Sequence, residues 1–373
     1  MEIYVHIPFC VKKCAYCDFF SLPGTEKEIQ EKYFRDLKEE ISESAFSGSR
    51  VTSVFFGGGT PSFTDPAYIT EVMDLLKTKF RITEDAEITL EANPGTLTDE
   101  NLKVYRKAGF NRLSLGLQSA DDEYLKRLGR IHTYSDFEES FYKARKAGFS
   151  NISADLISGI PGETKEGFIN SLNKVLDLKP EHISVYSLII EENTPFYELY
   201  GPDGKFTEDL PSEEEDRKQV ELTRKILKGR GYLHYEISNY ARCGFESRHN
   251  TGYWTQEEYI GFGAAAASFY YTENGAVRRK NAESLNYRKL PFEEEEVLKK
   301  EDLMAEFMIL GLRRMEGVRD ELFRERYGVS FFEVFGETLN KYVSYGVLKM
   351  EEDRVFLTER GEDVCNLLFE ELI

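Results

Sequence analysis

The chain has 373 residues, 41% hydrophobic and 31% charged, an ordinary globular composition long enough for one large domain and a smaller one. Its 67 acidic residues against 48 basic ones give a net charge of −19, which repels phosphate backbones and sets nucleic acid aside as the main partner. No apolar run approaches the ~20 residues that span a bilayer, and the opening MEIYVHIPF reads as a strand with neither a basic start nor a cleavage site, so a cytoplasmic protein is expected.

In chain order, EIYVHIPF is a strand followed by a helix from about Glu26 to Phe46, and VTSVFFGGGT is a second strand followed by a helix from about Asp65 to Phe80. AEITLEANP precedes a helix capped by Thr98 and ended by glycine. NRLSLGLQS leads into two helical stretches, NISADLISGIPG into one, and HISVYSLIIE is the sixth strand. Short β-branched strands alternating with helices predict βαβ units and a parallel sheet. Six units predict an α/β barrel or partial barrel, a (β/α)6 type. After Glu191 the rhythm breaks. A long acidic helix runs from about Ser212 to Arg230, GYLHYEISNYA is strand-like, and KLPFEEEEVLKKEDLM reads as a charged linker, its Glu run a solvated face. The expected boundary lies there, giving a core at 1–290 and a small domain at 291–373. Helices followed by the hairpin GVLKMEEDRVFL make that domain winged-helix-like, but residues 319–373 carry 13 acidic against 7 basic side chains, a poor nucleic-acid surface. It reads as a packing or partner domain.

The chemistry concentrates in HIPFCVKKCAYCDFF, where Cys10, Cys14 and Cys17 fall within eight residues. A structural zinc site takes four ligands and would need a distant histidine to complete it. A [4Fe–4S] cluster can exploit the shortage, because three thiolates hold three irons and leave the fourth open. S-adenosylmethionine binds such an iron through its amino and carboxylate groups. The other two cysteines, Cys243 and Cys365, stand alone and read as small, partly buried residues. Ligands of parallel α/β folds sit at the C-terminal ends of the strands. There lie Gly57, Gly58, Gly59 and Thr60, then Glu91, Gln118 and Asp155, with Arg130 in a following loop. Together they form a candidate rim, and GIPGET at 159–164 is a further turn suited to backbone contact with an adenine.

The C-x3-C-x2-C spacing with Tyr16 before the last cysteine resembles the signature of the radical S-adenosylmethionine superfamily. With FFGGGTPS, LEANPGTL, RLSLGLQS, LGRIH, LISGIPGET and YEISNYA, nearly the whole chain is similar to the oxygen-independent coproporphyrinogen III oxidase family, and to its HemW-type heme-chaperone branch. The resemblance implies a cluster on Cys10, Cys14 and Cys17. It also implies S-adenosylmethionine contacts from Tyr4, Tyr16, Gly58, Gly59, Thr60, Glu91, Gln118, Arg130 and Asp155. HNTGYW at 249–254 fits the heme-associated motif of that branch, implying a heme site at His249, Tyr253 and Trp254, with His249 as iron ligand. His6 is expected to orient the cluster loop, and His132 is a further polar candidate. Phe19 stands where the dehydrogenase branch usually carries a further cysteine. Ala265 and Ala267 replace the glycine and histidine common in relatives. The implied function is transfer of heme to an acceptor protein, a respiratory hemoprotein reached through transient membrane-protein contact. A dimer on cluster loading is allowed by the resemblance, and nucleic acid is not an expected partner. The alternative is a coproporphyrinogen III dehydrogenase using a 5′-deoxyadenosyl radical, which Phe19 counts against.

Overall fold

The computed structural model describes residues 1–373. It begins β1 (Glu2–Ile7), α1 (Lys27–Glu43), β2 (Arg50–Gly58), α2 (Pro66–Lys79), β3 (Arg81–Ala92), α3 (Asp99–Ala108) and β4 (Arg112–Gln118). Two helices, α4 (Asp122–Arg127) and α5 (Tyr134–Lys146), precede β5 (Ile152–Ser158), α6 (Lys165–Leu178) and β6 (His182–Ser187). These six strands are successive neighbours in one sheet, and every pairing is parallel. Local chemistry sets the ends as read from sequence. Thr98 and Asn101 form a reciprocal capping box at the start of α3, and Gly109 ends it at φ 101°, a conformation open to glycine.

Beyond β6 come α7 (Pro195–Tyr200) and α8 (Glu213–Gly229), then β7 (Leu233–Glu236) and β8 (Asn239–Ala241). The short α9 (Arg248–Trp254) leads to β9 (Tyr259–Phe262), which pairs parallel with the far side of β1. β10 (Ala267–Thr272), β11 (Gly275–Lys280) and β12 (Glu294–Leu298) continue antiparallel. The sheet runs β12-β11-β10-β9-β1-β2-β3-β4-β5-β6-β8-β7 with two unjoined ends, a partial barrel. The core is one apolar cluster of 48 buried residues between sheet and helices.

The stretch read as a linker is instead partly sheet. Glu294, Glu295 and Glu296 stand opposite Lys280, Arg279 and Arg278 across the β11–β12 ladder. The Glu run is therefore a set of cross-strand charge partners that also keeps an edge strand from recruiting another chain. The sheet thus continues past the expected 290/291 boundary, to Leu298.

The C-terminal part comprises α10 (Lys300–Leu312), β13 (Val318–Arg319), α11 (Asp320–Tyr327), α12 (Phe331–Ser344), β14 (Leu348–Glu351), β15 (Arg354–Leu357) and α13 (Glu359–Glu370). The three strands pair in the order β13-β15-β14, a wing behind helices. Its cluster of 21 buried residues takes in Phe269, Ala276 and Leu298 from the sheet, so it packs onto the antiparallel extension. Arg224 of α8 and Glu362 of α13 add an ion pair at 2.6 Å. No helix is long and apolar enough to cross a membrane.

Ala265 sits at φ +59°, where a Cβ is strained by roughly 1–2 kcal/mol. Ala265→Gly relieves that strain and loses part of the gain to the freer unfolded chain. The net expectation is about 0.5–1 kcal/mol of added stability in urea denaturation; an unchanged or lower midpoint contradicts it.

Candidate cluster and cofactor site

Because β1 to β6 are parallel, their C-terminal ends meet at one rim, and a cavity of about 460 Å³ opens there. Cys10, Cys14 and Cys17 line it together with Tyr16, Gly58, Gly59, Thr60, Glu91, Gln118, Arg130 and Asp155. Of the rim residues expected from sequence all but Gly57 line it, and Tyr4, expected among the cofactor contacts, does not. The turn at 159–164 is not part of the wall either; Arg127 donates to the Pro161 carbonyl and Gly162 N–H to that of Asp209.

The cysteine loop is pinned from several sides. Ala15 N–H donates to the Leu128 carbonyl and the Ala15 carbonyl accepts from Phe196 N–H, while Tyr16 packs on the Phe196 ring. The His6 imidazole lies 2.9 Å from the Phe20 carbonyl, so His6 does orient the loop; burial pulls its pKa down to about 4, keeping it neutral. The three glycines are steric necessities. A Cβ on Gly57 would stand 2.8 Å from Glu91 Oε2, one on Gly58 would meet the His6 ring, and one on Gly59 would lie 2.8 Å from the Ile7 carbonyl oxygen. Gly58 also sits at φ +104°, and its N–H donates to Glu91 Oε2 at 3.1 Å.

Donors converge on the sulfurs. Asn93 Nδ2 donates to Thr60 Oγ1 at 2.8 Å, which leaves the Thr60 hydrogen free to point at Cys10 Sγ, 3.5 Å away. Arg130 Nη1 donates to Cys14 Sγ at 3.4 Å, and its Nη2 is fixed by Asn93 Oδ1 and the Gly116 carbonyl, each at 2.5 Å. Burial pushes the Cys10 thiol up and the Cys17 thiol up to about 11, so ionised sulfur needs these donors or bound metal. No three His, Cys, Asp or Glu side chains come close enough to share one metal ion. Three thiols on one loop facing a common cavity, two of them met by donors, are the donor set a [4Fe–4S] cluster takes. Opposite the sulfurs, Glu91 is raised to about 7 by burial and then by Asp155. Asp155 accepts from Ser114 and Ser153 at 2.9 and 3.0 Å. These carboxylates, Arg130 and the glycine backbone supply what a molecule with an ammonium, a carboxylate and ribose hydroxyls needs.

Sequence reasoning missed Asn93, the hub between Thr60 and Arg130, although it directly follows β3, two residues after Glu91. It also missed that Gln118 adopts φ +76°, a strained backbone at a strand end that no residue pattern signals. His132 is structural: its Nε2 lies 3.1 Å from the Leu117 carbonyl. Cys243 is exposed and Cys365 is buried in α13, both apart from the site.

Tyr4 belongs to a second cavity. The Phe55 ring lines the first cavity and stacks on Tyr4 at 6.2 Å, so it stands between Tyr4 and the cofactor rim. The second cavity, about 810 Å³, is walled by Phe19, Phe20, Tyr253, Trp254, Tyr259 and Phe269 among others. Phe19 lines both cavities. Tyr253 and Trp254 therefore stand together, as expected, but His249 does not present an open nitrogen. It is 1% exposed, with Nδ1 2.9 Å from Ser53 Oγ and Nε2 3.0 Å from the Tyr253 hydroxyl. Its ring is stacked on Phe55 at 5.0 Å. The reason is that Ser247 caps α9 while Glu87 accepts the Arg248 and His249 N–H groups, which turns the histidine into the sheet. Burial holds its pKa down to about 3, and burial raises that of neighbouring Glu2 to about 9.

Residues 4–175 match the radical SAM superfamily and residues 298–364 the HemN C-terminal domain. The heme chaperone HemW of Bacillus subtilis is 36% identical over 98% of this chain and 97% of its own. The chain belongs to the HemW family. Its Escherichia coli relative is 32% identical over 99% of this chain and 97% of its own. The fold matches that of the coproporphyrinogen III oxidase HemN from Escherichia coli, a radical SAM enzyme, at TM-score 0.84 and 24% identity, covering 100% of this chain and 89% of that one. A [4Fe–4S] cluster and S-adenosylmethionine are the groups this superfamily holds, and the donors above fit both.

Between the ordinary 4.5 and about 7, the folded chain keeps a proton on Glu91 that the unfolded chain has released. The folded state then binds more protons, so stability falls as pH rises through that window. In the cofactor-free protein Glu91→Gln removes this part of the decline, measured as the difference in urea stability between pH 5 and pH 8; an unaltered difference contradicts the assignment.

Proposed function

We propose that this chain is a heme chaperone, taking up heme in the aromatic cavity and passing it to an acceptor protein. The supporting observation is the pairing of two unlike cavities across Phe19, one polar and cysteine-lined, the other aromatic, in a chain similar along its full length to proteins named heme chaperones. A cavity of about 810 Å³ lies within the size range of small-molecule sites, and the faces of Tyr253 and Trp254 suit a flat apolar macrocycle. The cluster and S-adenosylmethionine, held next door, govern assembly or transfer in this reading, not oxidation of a porphyrin. We place the protein in the cytoplasm, with a respiratory hemoprotein as acceptor and dimerisation on cluster loading. The dehydrogenase alternative is disfavoured by Phe19, which puts an aromatic ring where that branch usually carries a further cysteine.

Titration of the anaerobically reconstituted protein with heme is expected to give stoichiometric uptake and a Soret band, with uptake weakened in His249→Ala. No uptake by the parent, or conversion of coproporphyrinogen III to protoporphyrinogen IX under the same conditions, overturns the proposal.

A further inference from the structure

We propose that the iron ligand in the aromatic cavity is the phenolate oxygen of Tyr253, with His249 behind it as the hydrogen-bond partner that positions the phenol. The assignment rests on the heme-carrying reading above and replaces the expectation that His249 itself binds the iron.

The cavity wall contains His6 and the tyrosines Tyr4, Tyr253 and Tyr259, the last with its phenol beside Arg278 and not a histidine, and His249 is not part of it. Both nitrogens of His249 are engaged, and its ring is clamped against Phe55, so direct ligation would break two hydrogen bonds and a stack. His6 is engaged on both sides as well. Its Nε2 faces the Phe20 carbonyl and therefore carries the hydrogen, which leaves Nδ1 to accept from the Tyr4 hydroxyl at 3.1 Å. A tyrosine hydroxyl is different. It keeps acceptor lone pairs while its hydrogen is donated, and tyrosinate is an established axial ligand of heme iron.

Two tyrosine–histidine pairs thus adjoin the cavity, and a carboxylate separates them. Behind His249, Glu2 Oε2 stands 3.6 Å from Nδ1. That oxygen is buried and has no hydrogen-bond partner, an unsatisfied group that calls for an explanation. No carboxylate lies within ion-pair distance of His6 in the corresponding position behind Tyr4. The line Glu2–His249–Tyr253 therefore places a buried acid behind an imidazole whose other nitrogen is hydrogen-bonded to the phenol of Tyr253.

When ferric heme enters, the Tyr253 O–H bond breaks and an Fe–O bond forms. The phenol proton leaves to solvent, and His249, neutral throughout, keeps the phenolate oxygen in place through Nε2 while Ser53 holds its Nδ1. No electron moves, and one proton leaves per heme. The ligand set also carries a consequence for release, since a phenolate holds ferric iron much better than ferrous iron, so that one-electron reduction of the heme loosens it.

The test uses the full chain, reconstituted anaerobically, with ferric heme as probe. Resonance Raman spectra of the wild-type complex are expected to show phenolate modes of an iron-bound tyrosinate, a readout that needs no variant to fold. Tyr253→Phe loses those modes. His249→Ala keeps them but binds ferric heme about 10- to 100-fold more weakly, as removal of a partner behind a metal ligand does. Dithionite reduction of the wild-type complex, followed by gel filtration, is expected to release heme. Imidazole-type ligation in the wild type, lost in His249→Ala and retained in Tyr253→Phe, overturns the ligand assignment while leaving the chaperone reading intact. Phenolate modes lost in Tyr4→Phe and not in Tyr253→Phe overturn it too. Failure of the wild type to take up heme overturns both.

Discussion

The strand β1 has six residues, and its alternation places Glu2, Tyr4 and His6 on one face of the sheet. Each serves a different part of the functional end. His6 holds the cysteine loop through the Phe20 carbonyl and leaves Gly58 no room for a side chain. Tyr4 walls the aromatic cavity, and Glu2 backs His249. The strand can do this because it is central, hydrogen-bonded in parallel to β2 on one side and β9 on the other. A register slip by one residue would turn all three side chains to the other face at once.

Around that strand the two cavities are separated by very little. Phe19 belongs to both walls, and Phe55 lines the cysteine cavity while stacking on Tyr4 and His249. The cysteine side is dominated by hydrogen bonds that fix donors against sulfur, with Asn93 tying Thr60 to Arg130. The other side is dominated by aromatic faces. The two cavities thus lie side by side with unlike walls, one of hydrogen-bond donors and thiols and one of aromatic faces. The C-terminal domain shapes the second cavity as well, since Ile309, Leu310 and Ile373 reach its wall. The acidic domain therefore packs against the sheet and helps wall this cavity.

Some of this was legible in the residues because it is local. Three cysteines in eight residues, three consecutive glycines after a strand and Thr98 ahead of a helix each carry their own chemistry, and the alternation of strand and helix follows from short-range periodicity. Other features were not legible because they depend on distant partners. The Glu run at 293–296 is the solvated face it looked like, but nothing local showed that Glu294, Glu295 and Glu296 would lie in a strand opposite Lys280, Arg279 and Arg278. Asn93 had no local mark of a hub, and Gln118 no sign of its left-handed backbone. HNTGYW suggested an open histidine, yet Glu87, more than 150 positions earlier, turns His249 into the sheet.

By itself, then, the sequence determined a parallel α/β core with a three-cysteine loop and a glycine turn on a common rim, because periodicity, capping and backbone sterics act over a few residues. Only the tertiary structure decided that there are two cavities, that Tyr4 lies in the second, and that Tyr253 stands between His249 and the space it was expected to serve. Those outcomes are set by which side chains meet across strands far apart in the chain, where burial and hydrogen bonding act only after the sheet has formed.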